Sequence, residues 1–539
     1  MTSVNTIEEK NGHYLKSTNV PEHHQDIAFD EAGIKQNLLN LNQPCYIVKK
    51  NEKIGFTNQH NGGDKHVELL MALPPLTLQQ LGDRSFLEFH KVKYAYTAGA
   101  MAGGIASEEL VIAFGQAGIL SSFGAGGLSR ERVEGAIKRI QEALPQGPYA
   151  FNLLHSPSEP AMEWGSVDLY LQYGVKTVEA SAFLDLTPAI VYYRAAGLSL
   201  NSANQIEINN KVIAKVSRRE VATKFLAPAP QKILQELVNQ GLITELQATL
   251  AQKVPMADDI TVEADSGGHT DNRPLVCLLP SILELRDEIQ QKYSYANLVR
   301  IGVAGGIATP QSALAAFMMG AAYVVTGSIN QSCKEAGTSE YTKKLLAQAE
   351  MTDVAMAPAA DMFEMGVKLQ VLKRGTLFGM RSQKLYEIYQ RYDSIEDIPP
   401  AEREKLEKQI FRQSLDSIWS STQEYLSQRS PHKLERAKKN PKFKMALIFR
   451  WYLGLSSRWS NSGEKGRETD YQIWCGPAMG AFNNWVKDTY LAQSENRYVV
   501  DIAYHILTGA AYLYRLQTLK LQGLELPARF AQYHPSLRE

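Results

Sequence analysis

Short apolar runs alternate with segments of helical periodicity through the middle of the chain, between Lys91 and Gly337. The runs are rich in β-branched or aromatic residues, as strands are, and the segments between them have the spacing of amphipathic helices. The eight runs are Val92–Thr97, Ile119–Ser122, Tyr149–Asn152, Thr177–Glu179, Val212–Val216, Ile260–Glu263, Leu298–Val303 and Tyr323–Thr326. Eight strands alternating with helices predict an α/β fold, a (β/α)8 TIM barrel, with an open doubly wound sheet as the alternative.

The pattern differs on both sides of this region. Before it the chain is polar, and two short strand signals, Cys45–Val48 and Ile54–Phe56, flank a charged turn and predict a β-hairpin. After Gly337 the pattern is mostly helical and rich in aromatic residues. We therefore expect an N-terminal appendage at 1–85, a barrel at 86–336 with a helical insert at 228–254, and a helical domain at 337–539. That last domain is expected to cap the barrel and to bind substrate or a partner.

Composition narrows the function classes. Lysine plus arginine equals aspartate plus glutamate at 57 each, so the chain lacks the basic surplus of a nucleic-acid binder. The four cysteines form no Cys-x-x-Cys pair, which argues against a disulfide framework or a metal site. The polar start does not resemble a signal peptide, and no apolar run approaches the ~20 residues that span a bilayer. We expect a cytoplasmic protein with no membrane or nucleic-acid partner.

Two small turns follow the seventh and eighth predicted strands. Gly305–Gly306 precede Thr309 and Pro310, which are a favourable N-cap and first helical residue. Gly327–Ser328 form the second turn. Turns after strands seven and eight of such barrels commonly hold a phosphate group, and a helix N-terminus favours an anion. Either turn alone could lack a ligand, but the pair at adjacent strand ends predicts a phosphate site.

Three other strand ends carry candidate chemistry. His269 follows two glycines after the sixth strand, and an imidazole can deliver a proton near neutral pH. Lys215 lies within an apolar strand, where a lysine is costly unless it meets an anion. The alternative for Lys215 is a structural ion pair with Glu179 or Glu263. The small residues after the first strand, Ala100–Gly104, leave room for a planar ring against the backbone.

Several of these segments resemble a known family. Ala100–Gly104, Ser266–His269 and Gly305–Ile307 resemble the nitronate monooxygenase and FabK-type enoyl reductase superfamily. Longer stretches are similar to one branch of it, the PfaD family of trans-acting enoyl reductases. These stretches are Lys93–Tyr96, Asn152–Pro160, Val178–Phe183, Ala257–Ile260, Met356–Gln370 and Arg450–Ser460.

The resemblance implies a barrel that binds flavin mononucleotide (FMN). The residues that it places at the flavin ring or beside it are Ala100, Met101, Gly103, Asn152, Lys215, Glu263, Gly267 and Gly268. The residues that it places at the flavin phosphate are Gly305, Gly306, Gly327 and Ser328. His269 and Lys215 are its catalytic residues, with His155 as a second candidate proton donor. The segment before His269 is one residue shorter than in FabK-type reductases, so either Glu263 or Asp265 could serve at the ring.

The resemblance also implies a reaction. NADPH, or NADH, would supply hydride through the flavin to the β-carbon of an enoyl thioester carried by an acyl carrier protein of a polyketide or polyunsaturated fatty acid synthase. The segment Arg429–Arg450 holds eight lysines and arginines against the single acid Glu435, so it could steer an acidic carrier or be an ordinary solvated surface. A flavin oxidase acting on nitronates and a non-catalytic flavin-binding scaffold are the alternatives, and a homodimer is left open.

Overall fold

The computed structural model describes residues 27–59, 66–156 and 160–537. The polar start of the chain and the Pro157–Glu159 portion of one quoted motif lie outside the described residues. The chain divides into two compact units, the first formed by residues up to Leu78 with Ala511–Tyr533, and the second by Gln79–Ala510 with the last six residues, His534–Glu539.

The first unit contains a three-stranded antiparallel sheet of order β2-β1-β3 and helix α1 (Glu31–Leu39). Its strands are β1 (Cys45–Lys50), β2 (Lys53–Thr57) and β3 (Val67–Leu73). The first two form the predicted hairpin, in which Tyr46 lies opposite Thr57, whereas β3 was not predicted. Arg515 is 1% exposed and donates hydrogen bonds to backbone carbonyls around this sheet, so it ties Ala511–Tyr533 into the unit.

The second unit contains a closed eight-stranded barrel in which every neighbouring pair is parallel. Its strands are β4 (Tyr96–Ala98), β5 (Leu120–Phe123), β6 (Ala150–Leu154), β7 (Thr177–Ser181), β10 (Lys211–Val216), β11 (Asp259–Glu263), β13 (Arg300–Ala304) and β14 (Val324–Thr326). A short antiparallel pair, β8 (Leu198–Leu200) and β9 (Ile206–Ile208), precedes β10. Each of the eight predicted strands is present, and closure between β14 and β4 confirms the barrel over the open sheet.

Helices alternate with the barrel strands as predicted. They are α2 (Arg84–His90), α3 (Glu108–Gln116), α4 (Arg130–Ala143), α5 (Pro160–Gln172), α6 (Pro188–Ala196), α7 (Arg219–Leu226), α8 (Gln231–Asn239), α9 (Glu245–Ala251), α10 (Leu275–Tyr293), α11 (Pro310–Met318) and α12 (Ser328–Gln331). Helices α8 and α9 occupy the segment 228–254, between β10 and β11.

The chain beyond Gly337 is mostly helical, as predicted. Its helices are α13 (Glu340–Ala347), α14 (Phe378–Arg391), α15 (Pro400–Leu406), α16 (Leu415–Arg429), α17 (Pro431–Lys439), α18 (Pro441–Ser462), α19 (Ala478–Val486) and α20 (Val499–Leu521). The segment Glu407–Phe411 is π-helical. Among the described residues, no helix combines the length and the apolar character needed to cross a bilayer.

Two strands interrupt this helical region and were not predicted. They are β15 (Val354–Pro358) and β16 (Lys368–Leu372), which form an antiparallel pair. Strand β16 also pairs with β12 (Gly268–His269), which follows barrel strand β11. Strand β12 is therefore the edge strand of a three-stranded sheet of order β12-β16-β15, whose other two strands come from residues beyond the barrel.

The amino-terminal end of the barrel holds a buried ionic cluster. Asp259 and Arg300 are the first residues of β11 and β13, and Arg300 Nε donates to Asp259 Oδ1 at 2.6 Å. His90 Nε2 lies 2.8 Å from the other carboxylate oxygen. Charged groups at this end of a TIM barrel serve stability, because the active site of such barrels forms at the opposite end.

Candidate active site

A charged cluster lies at the carboxyl-terminal end of the barrel strands. Lys215 of β10 places its ammonium 3.0 Å from Glu263 Oε1 at the end of β11. The same nitrogen lies 3.7 Å from Glu179 Oε1 on β7. The ion pair that we raised as the alternative for Lys215 is thus present with both acids. It does not exclude a role at a ligand, because the three side chains share the barrel mouth.

Burial and charge set the protonation of this cluster. Burial raises the pKa of Glu179 and the neighbouring Glu263 adds to the rise, while Lys215 and the backbone N–H of Ala100 oppose it. For Lys215, burial alone would lower the pKa, but the attraction of Glu263 and Glu179 raises it overall. Lys215 therefore keeps its positive charge at neutral pH, and its ammonium group is attracted by both neighbouring carboxyl groups.

The loop after β4 closes on this cluster. The backbone N–H of Ala100 donates to Glu179 Oε1 at 3.1 Å. Gly103 adopts φ +70°, a conformation that favours glycine, and a Cβ at this position would make a tight contact of 3.1 Å with Asn461 Nδ2. On β6, which pairs with β7, Asn152 is 5% exposed, and its amide nitrogen donates hydrogen bonds to Glu179 O and Ser181 Oγ. The small-residue loop, including Met101, and Asn152 thus lie at the mouth with Glu179.

The two predicted phosphate turns follow adjacent barrel strands, β13 and β14. A Cβ at Gly305 would overlap the backbone of Ala264, at 2.7 Å from its carbonyl carbon, which explains that glycine by close packing. Gly306 and Gly327 are different, because no atom lies within 4 Å of a Cβ built on either one. Thr309 caps α11 and Pro310 begins it, as predicted. These two turns leave open space beside the start of a helix.

Ser328 is contacted by a residue from beyond the barrel. The backbone N–H of Gly476 donates to Ser328 Oγ at 3.1 Å. The same short segment packs against the other loop, since a Cβ at Gly267 would lie 2.8 Å from the backbone nitrogen of Cys475. Gly268 has φ +79° and pairs with Gln370. The loops after β11 and β14 are therefore both contacted by the segment 474–476.

His269 faces an acid from the loop between β15 and β16. Its Nε2 lies 3.1 Å from Asp361 Oδ1, and the side chain is 45% exposed. Burial lowers the pKa of His269, but the hydrogen bond and charge of Asp361, together with the charge of Glu263, raise it overall. The raised pKa favours the protonated imidazolium, which can release its proton to a ligand.

Glu263 and Asp265 have separate roles in the structure. Asp265 Oδ1 accepts hydrogen bonds from Gln370 Nε2 and Asn272 Nδ2, each at 2.8 Å, so it fixes its own loop. Glu263 is the acid beside Lys215. The geometry therefore favours Glu263 as the acid that could face a ligand at the mouth.

His155 lies in a different setting from His269. Its Nδ1 is 2.8 Å from Glu163 Oε2 on α5, and its ring stacks on Phe183 at a centroid distance of 5.1 Å. His155 follows the last residue of β6, and these two contacts hold its side chain. This arrangement favours a structural role for His155.

The site residues that sequence reasoning missed lie beyond the barrel. Asp361, Gln370 and Gly476 all contact mouth loops. Asp361 and Gln370 fall within a stretch that carried the family resemblance, Met356–Gln370, but no spacing rule shows that they return to His269.

Three family models match the chain. One described as nitronate monooxygenase matches residues 84–385. Another, described as the N-terminal domain of the fatty acid synthase subunit PfaD, matches residues 23–75. The third, described as the inserted helical domain of acyl-carrier-protein S-malonyltransferase, matches residues 392–471.

Relatives include proteins of two biosynthetic systems. The chain is 51% identical to one of the polyunsaturated fatty acid synthase subunits of Thraustochytrium sp., over 90% of this chain and 33% of that protein. It is 45% identical to the polyketide biosynthesis protein PksE of Bacillus subtilis, over 89% of this chain and 62% of that protein. The chain thus spans less than two thirds of the length of either relative.

One solved structure is similar over most of the chain. It is the enoyl reductase domain of MlnA, from the macrolactin biosynthesis cluster of Bacillus amyloliquefaciens. The TM-score is 0.78 and the identity is 40%, over 82% of this chain and 100% of that domain.

Proposed function

We propose that this chain, which belongs to the PfaD branch of the nitronate monooxygenase family, is an FMN-dependent enoyl reductase that acts in trans. Its substrates would be enoyl thioesters of an acyl carrier protein. NADPH or NADH would be the hydride source. The observation that carries the proposal is the meeting of Lys215, two open phosphate-type turns and a paired His269 at one barrel mouth. The relatives named above, which include an enoyl reductase domain and proteins of fatty acid and polyketide systems, support it.

The residues at the mouth fit FMN. Gly306 and Gly327 have open space where a Cβ would stand, so backbone N–H groups can approach a phosphate at the start of α11. Ser328 adds a hydroxyl, and Gly305 shapes the turn. Ala100, Met101, Gly103 and Asn152, with Gly267 and Gly268 of the facing loop, would border the ring. FMN held by these residues would supply the hydride-transfer chemistry between a nicotinamide and the β-carbon of the enoyl thioester.

The chain's own residues would handle charge and protons. Lys215, held protonated by Glu263 and Glu179, would place a positive charge at the mouth where negative charge develops during reduction. His269 would give its proton to the α-carbon of the thioester. Glu263 would keep Lys215 oriented toward the mouth.

The carrier protein would approach the helical region beyond the barrel. Part of the basic surplus there is already used, because Lys438 pairs with Glu435, Lys442 with Asp393 and Lys444 with Glu396. Lys439 and Arg429 are exposed near α17 and contribute to a surface that remains basic. An acidic carrier would be attracted to such a surface.

Steady-state turnover tests the proposal against nitronate oxidation, which the description of the barrel's family model favours as a second candidate. Purified, FMN-loaded protein is expected to consume NADPH when crotonyl-carrier protein is added. His269→Gln should slow this turnover by about 10²-fold or more, the usual contribution of a general acid. Oxygen uptake with a nitronate and no turnover of the thioester would reject the reductase and favour the oxidase.

A further inference from the structure

The glycine-histidine turn is held by a strand pair from outside the barrel. Gly268 and His269 form β12, and they lie opposite Gln370 and Leu369 of β16. The loop that joins β15 to β16 carries Asp361, whose Oδ1 lies 3.1 Å from His269 Nε2. The proton donor proposed above therefore has its acidic partner on a segment that lies 92 residues further along the chain.

We propose that Asp361 is a positioning residue for His269, which orients the imidazole so that Nδ1 is the nitrogen presented to the thioester. This inference rests on the proposed function. Among the described residues, no hydrogen bond to His269 Nδ1 is formed, whereas Nε2 is occupied by Asp361. An imidazole with one nitrogen on a carboxylate has a fixed orientation, and its other nitrogen can exchange a proton with a ligand.

Gln370 makes the arrangement rigid. It is 5% exposed, and its Nε2 donates to Asp265 Oδ1 and to Ser266 O, each at 2.8 Å. Strand β16 thus fixes Asp265 and Ser266, which precede His269 in the chain. The loop that carries Asp361 comes directly before the same strand. The paired backbone of β12 and β16 thus brings the loop that carries Asp361 close to His269.

The charged groups around His269 come from three elements. Asp361 and Glu263 favour the imidazolium, and they outweigh the burial that opposes it. On α18, Arg450 lies 3.4 Å from Glu364, and its positive charge also acts on Asp361. Burial opposes ionisation of Asp361, but His269 and Arg450 lower its pKa overall. Because the pKa of His269 is raised, its proton is lost at a higher pH than that of an ordinary imidazole.

The pair is partly exposed, so its effect is modest. The side chains of His269 and Asp361 are 45% and 57% exposed. Ion pairs with such exposure are screened by solvent and contribute up to roughly 1 kcal/mol. We therefore expect Asp361→Asn to reduce turnover about two- to fivefold at and above neutral pH and to change it less in acid, where His269 is protonated in either protein.

Three variants and two readouts test the inference. Asp361→Asn removes the charge, and Asp361→Glu restores it. Asp397→Asn is the control, since it removes an exposed acid of the same helical region. The first readout is the pH profile of kcat for crotonyl-carrier protein. The second is the titration of the His269 resonance in histidine-labelled protein, assigned by its loss in His269→Gln.

The expected result is that Asp361→Asn moves the alkaline limb of kcat and the midpoint of the His269 titration to lower pH, and that Asp361→Glu moves both back. Unfolding temperature and FMN content should match those of Asp397→Asn. A wild-type titration midpoint in Asp361→Asn would overturn the inference, as would an equal loss of turnover at every pH. Full activity of His269→Gln would instead remove the proton-donor role given under the proposed function, and the titration midpoint would still decide whether Asp361 controls His269.

Discussion

At the scale of single residues, Lys215 both forms a structural ion pair and presents a positive charge at the mouth of the barrel. A lysine buried in a barrel strand needs counter-charge, and Glu263 and Glu179 provide it at 3.0 and 3.7 Å. Breaking a buried pair by removing one partner costs about 3–5 kcal/mol, because the remaining charge is left without compensation. The same positive charge is available to an anionic ligand at the mouth.

Replacement of Lys215 tests both parts of this account. Lys215→Met is expected to lower the unfolding temperature and to weaken FMN binding about tenfold or more, because two carboxyl groups then face the ligand without an ammonium. Fluorescence titration of the apoprotein with FMN measures the second effect. Lys211→Met, at the other end of the same strand, serves as the control. An unchanged Kd in Lys215→Met would contradict placement of this residue at the flavin.

The low pKa of Asp259 is expected to make the stability of the protein decrease in acid. Burial opposes its ionisation, but Arg300 and His90 lower its pKa to about 2, below the usual value of about 3.9. An acid with a lowered folded pKa stabilises the protein above its unfolded pKa, and that contribution is lost as the pH falls toward the folded value. The free energy of unfolding should therefore decrease by roughly 2–3 kcal/mol from this group between about pH 5 and pH 2.

Asp259→Asn should lack this part of the acid transition and should be less stable at neutral pH, where Arg300 loses its partner. Denaturant unfolding at several pH values measures both effects. The same pH dependence in Asp259→Asn and in the wild type would show that other carboxyl groups account for it.

At the scale of elements, the barrel was predictable and the sheet β12-β16-β15 was not. Each barrel strand is a short apolar run bounded by turn residues, and the candidate groups Lys215, Gly306 and His269 were found because such sites form where strands end. Strands β15 and β16 lie in a helical context, and β16 pairs with β12 about a hundred residues away. Local periodicity carries no information on such a pairing, so Asp361 and Gln370 could not be placed from the sequence.

A substitution that adds a single methyl group, Gly267→Ala, tests the contact between the 474–476 segment and the glycine-histidine loop. A Cβ at Gly267 would lie 2.8 Å from Cys475 N, and backbone cannot give way as a side chain can. Gly267→Ala should therefore displace the loop, cost about 1–3 kcal/mol of stability and reduce turnover. Gly379→Ala is the matched control, because nothing lies within 4 Å of its Cβ and it lies in helix α14. Wild-type stability and turnover in Gly267→Ala would contradict this packing.

At the scale of the whole molecule, three family models match three parts of the chain. The barrel and the N-terminal unit correspond to two of them, and the helical segment 392–471 to the third. Under the proposed function, the acyl carrier protein approaches this helical region.

Charge reversal on α17 tests that proposal. Lys438→Glu with Lys439→Glu should raise KM for crotonyl-carrier protein about three- to tenfold, because steering of an acidic partner is reduced. Turnover of a small crotonyl thioester should be unchanged. Lys487→Glu, an exposed residue after α19, is the control. Equal KM values for carrier-bound substrate in both variants would place the docking surface elsewhere.

Anaerobic stopped-flow absorbance tests the central claim most directly. FMN-loaded protein is reduced with NADPH and mixed with crotonyl-carrier protein in the absence of oxygen, and the absorbance band of oxidised flavin is followed. The account predicts rapid return of this band, dependent on carrier concentration and slowed in His269→Gln. No return with the thioester, together with fast return on mixing with air or a nitronate, would contradict enoyl reduction.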